Sequence, residues 1–269
     1  MKQEIKDKFP RWIDNDKKYY MCLTDDLDSL FSCKLLEQIK EYEVTHFYSF
    51  NTLYRADTYE RNQYKIVGVD MDMAEYSCWG NHVTGINNKN SANLNVIQNI
   101  GSNNYYSKYC GSVVLQIISY YNYDISNLSD EAKMILLCID STFLMYGFNP
   151  NNCKKWLVDI LELPELYELC KKHTKQEFER LQRKYNLKKK IFVEDDELQT
   201  GIDLKGLNEL FNLSFILPKN NFIENLNFKD IGISTYNYNN FIKKLHNDGN
   251  KVFTQAQTNK TFIKLSYEI

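Results

Sequence analysis

Asp26 and Asp28 stand two residues apart just beyond the apolar run Tyr19-Tyr20-Met21-Cys22-Leu23. Carboxylates crowded in this way repel one another unless a cation or a proton neutralises them. Asp70 ends a second apolar run, Lys65-Ile66-Val67-Gly68-Val69, and Asp140 ends a third, Leu136-Leu137-Cys138-Ile139. If the four converge, they make a hard, oxygen-rich site suited to Mn²⁺ or Mg²⁺, to which His82 adds one imidazole. Each residue also has a structural alternative. Acids at strand ends and helix starts commonly serve as caps and turn formers, and a lone histidine beside Trp79 is ordinarily a structural residue.

The elements that would have to position these groups can be read from the spacing of apolar residues. After the run at 19–23, Leu30, Phe31, Cys33, Leu35, Leu36 and Ile39 recur at helical intervals, with Asp28 or Ser29 placed to cap the start. The segment Val44 to Phe50 is rich in β-branched and aromatic residues, and 65–70 is an apolar run closed by an acid. Strands alternating with helices imply a parallel sheet, whose ligand site lies beyond the carboxyl ends of its strands. That edge is where Asp26, Asp28 and Asp70 emerge. From Tyr105 to Tyr146 the pattern is helical, and Trp156 to Leu163 and Glu165 to Tyr185 also read as helices.

Composition shifts at Lys188-Lys189-Lys190 and Glu194-Asp195-Asp196-Glu197, which places a boundary near residue 186. Beyond it, Phe215 to Leu217, Ile231 to Ile233, Val252-Phe253 and Thr261 to Leu265 are strand-like, with a helix near Phe241 to Leu245. The expected fold is therefore α/β: a parallel-sheet domain with a helical second half over 1–186, and a smaller C-terminal α/β domain over 187–269. The lysine run can touch phosphates or lie solvated. The Tyr- and Asn-rich stretches at 103–106 and 236–240 can stack on nucleobases or serve as plain loops. His46, His173 and His246 have no ligand-like neighbours and receive no role.

The totals agree with a globular chain: 269 residues, 43% hydrophobic and 25% charged. A formal net charge of -2 gives no overall positive field for nucleic acid and leaves a local basic groove open. The N-terminus is charged where a signal peptide would be apolar, and no apolar stretch reaches the roughly 18–20 residues that span a bilayer. The expectation is a cytoplasmic protein with no membrane association, an oligomer being possible. Seven cysteines without a C-x-x-C pair, several of them inside apolar runs, read as reduced core residues.

At the level of motifs, the chain resembles the DHH phosphoesterase superfamily. An apolar strand followed by D-x-D and a helix matches Leu23-Thr24-Asp25-Asp26-Leu27-Asp28-Ser29-Leu30, and an apolar strand ending in a ligand Asp matches Ile66-Val67-Gly68-Val69-Asp70. The namesake D-H-H falls on Asn81-His82-Val83, where one of its three polar residues survives, and the fourth motif falls on Leu137-Cys138-Ile139-Asp140. The resemblance covers roughly residues 18–146. Thr24 or Cys22 stands where many members carry a histidine, Ser29 replaces a glycine, and no G-G-G-H signature follows residue 186.

The resemblance implies a Mn²⁺- or Mg²⁺-dependent hydrolase with one or two ions, acting on a phosphodiester of a nucleotide, a short oligonucleotide or single-stranded nucleic acid. Asp26, Asp28, Asp70 and Asp140 would be metal ligands. His82 would bind metal or donate to a phosphoryl oxygen, Asn81 would hydrogen-bond or offer a neutral oxygen, and Asp72 is an alternative ligand. The competing expectation is an inactive relative that sequesters a nucleotide or binds a protein partner.

Overall fold

The computed structural model describes residues 1–269. Its centre is a nine-stranded mixed sheet. Five strands run parallel: β1 (Tyr19–Leu23), β2 (Glu43–Tyr48), β4 (Lys65–Val69), β5 (Cys78–Trp79) and β6 (Ser91–Ala92), with β3 (Thr52–Ala56) returning antiparallel beside β2. Their lateral order is β3-β2-β1-β4-β5-β6. Strand order reverses between β1 and β4, so the crevice at their carboxyl ends is the place where open α/β sheets bind ligands.

Every residue of β1 is buried because both faces of the strand are covered. Met21 and Leu23 point with Phe47, Val67 and Val69 into the main core, which the helices Leu27–Lys40 and Val113–Tyr121 also line. Cys22 faces the other way, into a smaller cluster with Tyr48, Met71 and Phe228. Leu23 is fully buried, so truncating it to alanine should cost about 2–5 kcal/mol.

The expected helices between 105 and 185 are present with two corrections. Trp156 to Leu163 is the end of a helical stretch that begins at Pro150 and closes at Ile160. The run Glu165 to Tyr185 is two helices, Pro164–Lys172 and Lys175–Lys184, divided at Thr174, whose side chain and that of Glu177 form a reciprocal capping box. His173 is thereby a helix C-cap.

The expected separate domain over 187–269 is replaced by continuity with the main body. A short hairpin, β7 (Ile191–Glu194) with β8 (Glu197–Thr200), and the helix Leu204–Phe211 place Leu187, Ile191, Leu207, Phe211 and Phe215 in the same hydrophobic cluster as Phe31. Phe31 packs edge-on against Phe211 and Phe215 at 5.0 and 4.6 Å between centroids. Phe215 to Leu217 is thus coil anchored in the core by Phe215, with Ile216 exposed, and not a strand.

The later strands extend the sheet. β9 (Phe222–Ser234) pairs with β3 through its first half and with β11 (Phe262–Glu268) through its second, and β10 (Val252–Asn259) closes the edge. This extension curls back over the loops that follow β4 and β5. Gln255 donates its backbone N–H to Asp72 O at 2.9 Å, and Gln257 donates to Val83 O at 2.7 Å. A charge run between two segments sharing one core marks a surface turn, not a domain boundary. No helix is long and apolar enough to cross a membrane.

Candidate metal centre

The carboxyl ends of β1, β4, β5 and β6 supply Asp28, Asp70, Asn81 and Asn93 in turn. Ser29 knits the first two ends together: its Oγ accepts from Thr24 N at 2.8 Å and donates to Val69 O at 2.7 Å. Oxygens of Asp28, Asp70 and Asp140 lie within 4.8 Å of one another.

Asp28 is 1% exposed and sits in the first turn of its helix, whose cap is Asp26. Its two oxygens accept from the backbone N–H groups of Val113 and Val114 at 2.7 and 2.9 Å, at the start of another helix. Burial, then the charges of Asp140 and Asp26, hold its carboxyl well above the usual carboxylate range against the pull of those two amides. The expectation that Asp28 or Ser29 caps the first helix is corrected accordingly. Asp26 Oδ1 takes the cap, accepting from Asp28 N at 3.1 Å and Ser29 N at 3.4 Å.

Asp70 and Asp140 both occupy left-handed backbone, with φ of 56° and 51°. Strain of this kind costs a non-glycine residue on the order of 1–2 kcal/mol and concentrates at functional sites. No hydrogen-bond donor reaches the Asp70 carboxylate, and burial followed by the charge of Asp28 raises its pKa well above the ordinary value. Asp140 opens to solvent at the mouth of the cleft, and its carboxyl too is raised, by desolvation and then by Asp26.

Asn81, 6% exposed, reaches into this group. Its Nδ2 donates to Asp140 Oδ2 at 2.5 Å and to Gly111 O at 3.1 Å, while its Oδ1 is buried with no partner. Three mutually repelling carboxylates, one of them without any donor, and a buried amide oxygen without a partner make a group of oxygens that could hold a cation. Four oxygen donors without sulfur or imidazole fit a hard ion such as Mn²⁺ or Mg²⁺.

Two residues expected as ligands border the triad with their side chains engaged by other groups. Asp26, besides capping, pairs its Oδ2 with Lys190 Nζ at 3.2 Å, and Lys190 also reaches Asp25 at 2.9 Å. His82 turns from the triad to Asp72: Nδ1 lies 2.8 Å from Asp72 Oδ2. Burial lowers the imidazole pKa, and the hydrogen bond and charge of Asp72 outweigh it, so the net shift is upward. Asp72, the alternative ligand, is spent on this contact and on Asn93, whose Nδ2 donates to its Oδ1 at 2.7 Å. Gly80 is required here, since a Cβ would run into the Asp72 carboxylate.

The supporting shell contains residues that no spacing or motif singles out. Asn93, Asn95 and Gln116 are fully buried. Asn95 Nδ2 donates to Asn81 O at 2.6 Å, Asn93 Nδ2 to His82 O at 2.8 Å and Gln116 Nε2 to Gly80 O at 2.9 Å. Three amides thus fix three successive carbonyls of the 80–82 loop. Lys190 is the other addition, bringing a cation to the acidic edge. No protein-family model, curated protein or solved structure matches the chain.

Proposed function

We propose that this protein is a metal-dependent phosphoesterase of the DHH type, hydrolysing a phosphodiester in a nucleotide, a short oligonucleotide or single-stranded nucleic acid. The observation that carries the reading is the cluster of Asp28, Asp70 and Asp140 with the unpartnered Asn81 Oδ1 at the crevice between β1 and β4. Asp28, Asp70 and Asp140 would hold Mn²⁺ or Mg²⁺, and Asn81 would offer its amide oxygen after a flip of the side chain. An ion there supplies Lewis-acid polarisation of a phosphoryl oxygen and a lowered pKa for water.

The chain's own groups do the rest. The Val113 and Val114 amides lock the Asp28 carboxylate in one orientation. Asp72 holds His82 by Nδ1 and leaves Nε2 as the free nitrogen, and the ring is 40% exposed in a cleft that it shares with Asp140 and Lys108. An imidazole with a raised pKa in that position serves as a proton donor to the departing oxygen. Lys190, at the acidic rim, orients an incoming phosphate by charge.

Calorimetric titration of Mn²⁺ into the EDTA-stripped chain, together with hydrolysis of bis(p-nitrophenyl) phosphate, tests the reading. Asp70→Asn should weaken Mn²⁺ binding and lower the rate by more than the roughly 10–100-fold typical of outer partners. Absence of both ion binding and hydrolysis in the wild type sinks it. A second reading, an inactive relative that sequesters a nucleotide or binds a protein partner, draws on the lack of any imidazole among the candidate ligands. It predicts nucleotide or partner binding without turnover.

A further inference from the structure

A recess of about 560 Å³, lined by Arg183, Lys188 and Lys189, opens beside the acidic centre. It shares Gln182 and Lys188 with the cleft that holds Asp26, Asp28 and Asp140. The three cations are exposed and none is in an ion pair; Glu179, also on the wall, faces Lys175 at 3.5 Å. A second cleft, containing Asn81, His82 and Lys108, has Asp140 alone in common with the first. Asp140 therefore stands between two openings, each with a cation on its wall.

Past Lys108 the surface changes character. The Tyr105–Ser107 turn presents Tyr106, 58% exposed, next to Phe148, 71% exposed. Their rings lie 6.1 Å apart and are tilted by 32°, and Lys260 Nζ sits 4.8 Å from the Tyr106 centroid. Two large aromatic faces left in water, with an ammonium over one of them, form a stacking platform for unpaired bases. Paired bases in a duplex have no free face to offer it.

We infer that these flanks form one track for single-stranded nucleic acid, with Arg183, Lys188 and Lys189 holding backbone phosphates on one side of Asp140 and Tyr106 with Phe148 stacking a base on the other. The cationic recess adjoins one cleft and Lys108 lines the other, and the two clefts meet only at Asp140, so the track favours a chain of nucleotides over a monomer. The inference rests on the phosphoesterase reading for the fate of the strand, not for its capture.

The test is fluorescence anisotropy of a short labelled oligothymidylate with the full chain carrying Asp70→Asn, in EDTA, so that binding is read without turnover. Adding Lys188→Glu with Lys189→Glu should weaken binding at least tenfold and flatten its salt dependence. Adding Phe148→Ala should weaken it about fivefold or more, and should have no effect with an abasic strand. Equal affinity across the variants, equal sensitivity of the abasic strand, or equally tight binding of polyglutamate overturns the track. Bis(p-nitrophenyl) phosphate is too small to span it and reports on the centre alone. Patterned strand binding without hydrolysis of that substrate defeats the phosphoesterase reading and keeps the track, and hydrolysis without patterned strand binding does the reverse.

Discussion

Asp72 Oδ2 accepts from both the ring Nδ1 of His82, at 2.8 Å, and the His82 backbone amide, at 3.3 Å. One carboxylate oxygen thereby sets the ring's position, its tautomer and its charge. In Asp72→Asn the hydrogen-bonded charge is gone while burial and the charge of Asp140 stay, so the His82 pKa should fall from its raised value. Titration of the imidazole by NMR measures this directly, and an unchanged midpoint would show that Asp72 is no part of its control.

Asp28 and Asp70 should respond differently to the same substitution. Asp28→Asn turns one oxygen into an NH₂ that faces a backbone N–H of Val113 or Val114, leaving a buried donor unpaired at a cost of about 1–3 kcal/mol. Asp70 accepts from nothing, so Asp70→Asn removes repulsion without orphaning a partner. In EDTA we expect Asp28→Asn to melt below the wild type and Asp70→Asn at or above it, with both losing Mn²⁺-induced stabilisation. If Asp70→Asn is the less stable of the two by calorimetry, the crowding argument fails.

Burial of these carboxyls, and after it their crowding, gives stability a pH dependence of known sign. Asp28, Asp70 and Asp140 are raised in the folded chain, so their protonated forms stabilise it. That contribution is complete below the unfolded carboxylate range, near pH 4, and is lost as pH rises through the folded values. The melting-temperature advantage of Asp70→Asn over wild type in EDTA should therefore grow between about pH 4 and pH 8. Saturating Mn²⁺ should reverse its sign at neutral pH. Parallel melting curves across this range would mean that neither burial nor crowding raises these carboxyls in the folded chain.

Gly80→Ala should destabilise the protein by about 1–3 kcal/mol, because its methyl group collides with a buried carboxylate already held by Asn93. The collision also displaces His82, so hydrolysis should drop by a larger factor than the fraction unfolded explains. Circular dichroism melts alongside rates separate the two effects. A fully stable, fully active Gly80→Ala would show that the loop has room to give.

Much of the acidic edge was legible from the residues alone. Asp28, Asp70 and Asp140 each follow an apolar run, and runs that stop abruptly at an acid mark strand or helix ends. The roles of Asp26 and Asp28 could not be told apart, because the deciding donor, Val113 N, is 85 residues away. β5 and β6 are two residues long each, too short to show any period. Asn93, Asn95 and Gln116 looked like ordinary polar residues in an Asn-rich chain, and only burial reveals their purpose. The break at Thr174 was readable as T-x-x-E, whereas the charge run at 188–197 pointed to a boundary that the shared core around Phe31 overrides.

The curl of β10 over the loops at 72–74 and 83–84 bears on the order in which the molecule assembles. Gln255 Nε2 donates to Thr84 O across 171 residues of chain, and its backbone amide closes on Asp72. Contacts of such range form late, after shorter loops have closed. During synthesis the aspartates on β1 and β4 emerge first, but the loop that aims His82 has no roof until residues 252–257 have left the ribosome. A nascent chain can thus bring Asp28 and Asp70 together well before the 82–84 loop is covered, so the cleft takes its final shape only when residues 252–257 arrive.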